Sequence, residues 1–217
     1  MNHAERMWRF YAADLYVVIT ESFCAGRSSL DVLDEVLAAG VRLVQFREKE
    51  WSEKKMIEVG REYRRRTSEV EAVMIIDDDV ELALSLGADG VHLGLEDTPI
   101  ADARKAGKDL IIGASSHNLD EALQAQRDGA SYVNIGPIFS TQTKVLSMDS
   151  LGPEAISQIA PELIIPHTCM GGIKAHNVDD VLDHGAQHPA VVTAVTAAED
   201  IQGAVKELRD KILARKE

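Results

Sequence analysis

Gly87-Ala-Asp-Gly-Val91, Gly129-Ala-Ser-Tyr-Val133 and Gly185-Ala-Gln-His-Pro189 are the same joint used three times. In each, a glycine closes an amphipathic stretch and an apolar run follows within a few residues. Helices end readily on a left-handed residue, which glycine supplies without a Cβ penalty. Gly40 closes a fourth helix in the same way. Working outward, the β-rich runs are 15–20, 43–47, 73–76, 90–93, 110–114, 132–135, 163–168 and 190–193. Helix-period stretches lie between them at 29–39, 52–67, 80–86, 119–128, 153–160, 177–184 and 199–216, with a short one around 101–105. Spread over eight βα units, 217 residues give about 27 per unit, close to the minimum for a parallel crossover. The strands read as nearly continuous apolar runs, as required when both faces are covered. Eight such units predict an α/β fold of one kind, a single closed (β/α)8 TIM barrel rather than an open doubly wound sheet.

No linker or low-complexity segment breaks the chain, so residues 15–217 read as one catalytic barrel domain. Residues 1–14 are a short extension with Met7, Trp8, Phe10 and Tyr11 among charges. That is too apolar for a free tail, and a helix packed over the bottom of the barrel is expected. A partner-binding helix is the alternative.

Hydrophobic content of 45% and charged content of 27% are those of an ordinary globular protein. The net charge of −13 argues against non-specific binding to nucleic acid or to an anionic membrane, since both need a basic field. The amino terminus carries charge where a signal peptide needs an apolar run, and no stretch is long and apolar enough to span a membrane, so a cytoplasmic location is expected. A homo-oligomer is left open. Cys24 and Cys169 have no metal-type spacing and read as two thiols packed as small apolar groups.

In a barrel of this kind the chemistry sits at the carboxyl ends of the strands, and the unusual polar groups fall there. Gly136-Pro-Ile-Phe-Ser-Thr-Gln-Thr-Lys144 follows the sixth strand and offers two hydroxyls (Thr141, Thr143), a cation (Lys144) and backbone N–H groups, a composition suited to an anion. In the second strand Leu43, Gln45, Arg47 and Lys49 share one parity, which stacks an amide and two cations toward the mouth. A helix-side salt bridge for Arg47 and Lys49 would leave Gln45 on that face unexplained. Asp77-Asp-Asp79 after the third strand reads either as a solvated helix start or, with Asp97 on the next loop, as oxygen ligands for an ion such as Mg²⁺. Ser115 adds a hydroxyl from the fifth strand. Gly171-Gly172 after the seventh strand and Val192-Thr193 at the end of the eighth lie where this fold cradles phosphate, although a Gly-Gly pair is also what a tight turn uses. His184 and His188 have helical metal spacing, but Gly185 and Pro189 argue against a continuous helix there. His167 and Cys169 read as site lining or core.

Together these residues resemble the thiamine phosphate synthases (thiamine-phosphate pyrophosphorylases) over nearly the whole chain. The motifs that carry the likeness are Gln45-Phe-Arg-Glu-Lys49, Asp78 with Val80-Glu-Leu-Ala-Leu84, Gly90-Val-His-Leu-Gly94 with Glu96-Asp97, Gly136-Pro-Ile-Phe139 with Thr141-x-Thr-Lys144, and Gly171-Gly-Ile173. The resemblance implies condensation of 4-amino-2-methyl-5-hydroxymethylpyrimidine diphosphate with a thiazole phosphate, giving thiamine phosphate and pyrophosphate. It implies that Gln45, Arg47, Lys49, Asp77, Ser115 and Lys144 hold the pyrimidine diphosphate, with Arg47, Ser115 and Lys144 taking part in catalysis. It implies Mg²⁺ on Asp78 and Asp97, and the thiazole phosphate on Thr141, Thr143, Gly172, Val192 and Thr193. Departures are Asp77 where the family usually has asparagine, Leu95 for a common glutamine, Ser140 for a usual proline, Cys169-Met170 before Gly171, and Gln187-His-Pro189 before the last strand. An isomerase resembling the aminothiazole tautomerases and a non-catalytic thiazole-phosphate sensor are the alternatives on the same barrel. Neither needs the full set of diphosphate cations and metal acids that this chain retains.

Overall fold

Eight parallel strands close into a barrel in simple chain order. The computed structural model describes residues 1–141, 143 and 149–215. The strands are β1 (Tyr16–Ile19), β2 (Leu43–Phe46), β3 (Val73–Asp77), β4 (Gly90–Leu93), β5 (Ile111–Ser116), β6 (Tyr132–Ile135), β7 (His167–Met170) and β8 (His188–Val191). The helices are α1 (His3–Ala12), α2 (Ser29–Ala38), α3 (Glu53–Glu69), α4 (Val80–Ser85), α5 (Ile100–Ala106), α6 (Leu119–Arg127), α7 (Glu154–Ile159), α8 (Val178–Asp183), α9 (Thr193–Thr196) and α10 (Ile201–Leu213). Closure is completed by the register Tyr16↔Ala190 between β1 and β8. The glycines of the repeated joint all have left-handed φ, from 62° at Gly87 to 96° at Gly129, so each helix stops where its glycine stands.

Alternation along the strands sorts side chains into two cores. Val17, Ile19, Val44, Phe46, Met74 and Ile76 point outward and pack under the helices. Tyr16, Val18, Leu43, Val73, Ile75, Ile111, Tyr132 and Ala190 point inward and fill the barrel. The interior set is completed from below by Met7, Phe10 and Ala13. Asn2 opens α1 with a capping box, and the buried Phe10 ring stacks on Tyr132 at 4.8 Å and meets His188 edge-on at 5.0 Å. Arg6 Nη1 donates to the carbonyls of Asp89 (3.3 Å) and Asp109 (3.0 Å), which sit just before β4 and β5. Thus α1 stoppers the amino-terminal end of the barrel, leaving Trp8 and Tyr11 on the outside.

Two strands start two or more residues from where the sequence pattern places them, and β5 runs on to Ser116. β7 begins at His167 rather than 163, because a 3₁₀ turn at Ala160–Glu162 and Pro166, which has no N–H to give to a ladder, hold the preceding residues out of the sheet. Apolar Ile164 is 90% exposed there. β8 begins earlier, at His188, and runs through Pro189. Val192 then turns away (φ −118°, ψ −94°) and Thr193 opens α9, which composition alone did not separate from the strand. No helix among the described residues is long and apolar enough to cross a membrane.

Candidate active site

The carboxyl ends of the strands gather the polar residues into one mouth. Gln45 is 2% exposed within β2, and its Nε2 donates to the Tyr16 hydroxyl at 2.7 Å. Two residues on, Arg47 is tethered through its backbone N–H to Ile19 O (3.0 Å) and turns its guanidinium to Asp77 at the end of β3, with Nε 3.3 Å from Oδ2. Lys49 reaches the same oxygen at 2.7 Å and also pairs with Asp78. Asp77, Asp78 and Asp79 therefore have three different roles. Asp77 is clamped by two cations. Asp78 stands in the left-handed region (φ 60°), held by a 2.8 Å bond from its N–H to His92 O, a strained conformation for a residue with a Cβ. Asp79 caps α4, accepting from Leu82 N at 2.8 Å, so the helix-start reading of the triplet holds for this member alone.

Burial, and then the neighbouring Asp78 charge, push the Asp77 carboxyl above the usual carboxylate range, against the pull of Lys49 and Arg47. Burial also opposes ionisation of Asp78, but hydrogen bonds from Lys49 and with Asp97 outweigh it and hold that carboxyl low. Asp97 moves the other way, raised by burial and by the same shared bond with Asp78. Asp97 Oδ2 is in turn positioned by Gly94 N–H at 2.7 Å. Burial disfavours the Lys49 ammonium, yet Asp77 and Asp78 together raise its pKa. Two carboxyls whose charges oppose each other in this way are a place where a divalent cation could bind. Their oxygen chemistry fits Mg²⁺, which commonly takes one or two carboxylates and completes its shell with phosphate oxygens and water. Among the described residues no group of three or more His, Cys, Asp or Glu could hold a metal by itself.

The pocket between these groups is lined by Gln45, Arg47, Asp77, Asp78 and Ser115, and also by His92, His117, Asn134 and Met170. Thr141, Thr143, Gly171 and Val192 border both this pocket and a second one, lined further by Gly172, Lys174, Asn177 and Thr193. The Thr141 and Thr143 hydroxyls are 3.0 Å apart. Lys49 lies with Thr143 on a third recess beside the mouth. Lys144 lies outside the described residues. The glycines at 171 and 172 have a packing reason in addition to any ligand: a Cβ on Gly171 would lie 2.7 Å from Pro137 Cα, and one on Gly172 would lie 2.5 Å from Ser140 O. They let the loops after β6 and β7 lie against each other.

Sequence reasoning did not single out His92, Tyr16, Tyr132 or Asn134. His92 Nε2 is 3.1 Å from Ser115 Oγ, and its Nδ1 is 2.9 Å from the Tyr132 hydroxyl. Asn134 Oδ1 accepts from Thr168 Oγ1 at 2.9 Å, which leaves its amide N–H groups for the pocket that it lines. Strand parity could have found both, since His92 shares a face with Gly94 and Asn134 with Gly136. His184 and His188 fall on different elements, with His188 at the barrel bottom, so no helical histidine pair forms. His167 belongs to the core, with Nε2 on Gly185 O at 3.2 Å. Cys24 and Cys169 are buried free thiols. Burial pushes the Cys24 thiol up to about 12 and that of Cys169 higher still, which disfavours the nucleophilic thiolate at both.

Residues 15–195 match the family model described as thiamine monophosphate synthase. A thiamine-phosphate synthase of Chloroflexus aurantiacus is 42% identical over 195 residues, covering 90% of this chain and 90% of the relative. One of Halalkalibacterium halodurans is 38% identical over 190 residues, covering 87% and 90%. A solved structure of thiamine phosphate pyrophosphorylase from Pyrococcus furiosus superposes with a TM-score of 0.88 at 36% identity, over 96% of this chain and 98% of that one.

Proposed function

Because the chain belongs to the thiamine monophosphate synthase family, we propose that its barrel mouth joins 4-amino-2-methyl-5-hydroxymethylpyrimidine diphosphate to 4-methyl-5-(2-hydroxyethyl)thiazole phosphate, or its carboxylated form, releasing pyrophosphate and, from the carboxylated form, carbon dioxide as well. The observation that carries this reading is that Arg47, Asp77 and Asp78 line one pocket while Lys49, from the recess beside it, pairs with both aspartates. A chain of net charge −13 that binds a polyanion has to collect cations at that spot.

Arg47 and Lys49 hold the diphosphate oxygens, together with Lys144. For Lys49 this means exchanging its carboxylate partners for phosphate oxygens as substrate arrives. Gln45 and Ser115 meet the pyrimidine end, and Asp77 keeps the two cations aimed by neutralising them until substrate binds. Mg²⁺ on Asp78 and Asp97, when bound, supplies charge neutralisation for the leaving pyrophosphate. The bond that breaks is the one from the pyrimidine methylene carbon to the diphosphate oxygen, whose electron pair leaves with pyrophosphate. The ring amino group spreads the resulting positive charge, and the thiazole nitrogen then donates its lone pair to the methylene carbon. Thr141, Thr143, Gly172, Val192 and Thr193 place that thiazole through its phosphate. No protein nucleophile is needed, in keeping with two buried, inert thiols.

The assay is direct. Purified protein with both substrates and Mg²⁺ should yield a product that oxidises to fluorescent thiochrome, with one pyrophosphate released per product, and nothing when either substrate is left out. Rearrangement of the thiazole carboxylate without pyrophosphate release would instead identify a tautomerase, and tight thiazole-phosphate binding without turnover would identify a sensor.

A further inference from the structure

A line of hydrogen-bonding side chains crosses the barrel interior beneath the pocket. Gln45 Nε2 lies 2.7 Å from the Tyr16 hydroxyl, which is 3.2 Å from the Tyr132 hydroxyl, itself 2.9 Å from His92 Nδ1. His92 Nε2 is 3.1 Å from Ser115 Oγ. Both tyrosines are fully enclosed. The space for this line is built in: a Cβ on Gly113 would lie 2.1 Å from the Tyr132 ring and 2.5 Å from His92 Nδ1. Only glycine on β5 lets the phenol and the imidazole meet.

An amide N–H can only donate, and if each buried phenol gives its one proton to the next group, the line runs from Gln45 to Ser115. Tyr16, accepting from Gln45, gives its own proton to Tyr132, and Tyr132 gives its proton to His92 Nδ1. In that direction a neutral imidazole carries its hydrogen on Nε2 and donates it to Ser115 Oγ. Ser115 is left with its hydroxyl proton directed to the pocket, and Gln45 with its carbonyl oxygen. Burial keeps both phenols un-ionised, so they pass on hydrogen-bond direction rather than charge.

We propose that Tyr132, with Tyr16 and His92, is a positioning residue that makes Ser115 a donor and Gln45 an acceptor toward the pyrimidine diphosphate. The proposal rests on the synthase reading for the identity of that ligand, but the state of His92 does not. The test therefore has two parts. In ¹⁵N-histidine-labelled protein without ligand, with His92 assigned by the spectrum of His92→Gln, His92 should be the Nε2–H tautomer. An Nδ1–H tautomer in the wild type overturns the proposal, and that spectrum decides alone should Tyr132→Phe fail to fold. Tyr132→Phe keeps the ring between Phe10 and His92 but removes the hydroxyl that lies 2.9 Å from Nδ1. It should shift His92 toward Nδ1–H and raise KM for the pyrimidine diphosphate about tenfold, as for loss of one hydrogen bond, with KM for thiazole phosphate unchanged. An unchanged tautomer, or an equal rise in both KM values, overturns it. A wild-type protein that shows the Nε2–H tautomer but makes no thiamine phosphate would refute the synthase reading and not the relay.

Discussion

At the scale of single residues, Asp77 shows what sequence could and could not reveal. Its position beside the cations followed from parity along β2 and from its place at the end of β3. Its pairing with Arg47 and Lys49 depended on how far two long side chains lean across the mouth, which no spacing rule gives. The same limit hid His92, because a histidine within an apolar run reads as core until its neighbours across two strands are known. Asp77 also makes a pH-dependent prediction. Its folded-state pKa is raised, so the native state favours the protonated form and ionisation costs stability. That cost is absent below the ordinary carboxylate pKa and complete above the raised one. Asp77→Asn, a neutral isostere, should therefore melt at or above the wild-type temperature at pH 7, with the difference closing toward pH 4. A variant less stable at pH 7, whose deficit closes in acid, would show that the carboxylate is a net stabiliser through Lys49 and Arg47.

At the scale of elements, the βα joints were legible because one glycine per unit does one job. The ends of the barrel were harder to read, as at β7 and β8, where proline and a 3₁₀ turn compete with apolar pattern. The loops after β6 and β7 illustrate a reading that needed coordinates: the glycine pair suggested N–H groups for an anion, and the structure adds close backbone packing. Gly171 has φ 114° and would bring a Cβ to 2.7 Å from backbone. Gly171→Ala should cost about 2 kcal/mol or more in chemical denaturation, from backbone strain and overpacking together. A neutral result would mean that the two loops are loosely apposed. The stopper helix α1 makes a second prediction. Phe10→Ala should cost about 3–5 kcal/mol, as for other aromatic truncations in a core, because the ring fills the barrel bottom between Tyr132 and His188. An effect below about 1 kcal/mol would show that the barrel interior is sealed without it.

For the molecule as a whole, the fold class followed from eight repeats of one unit, and the candidate site was read from where such a fold places its strand ends. Charge is the property that ties the two together. A net charge of −13 repels a diphosphate, so on the proposed reading binding would need a local excess of cations, from side chains and from a metal that carboxylates would hold. The central claim is that Asp78 and Asp97 hold that metal while Asp77 neutralises cations. The most direct test is the initial rate of pyrophosphate release against Mg²⁺ concentration for wild type, Asp77→Asn and Asp78→Asn. The account predicts no turnover in EDTA, saturable activation in the wild type, retained turnover in Asp77→Asn, and a loss of about a hundredfold or more in Asp78→Asn. Full activity in EDTA, or a dead Asp77→Asn beside a nearly normal Asp78→Asn, would contradict it.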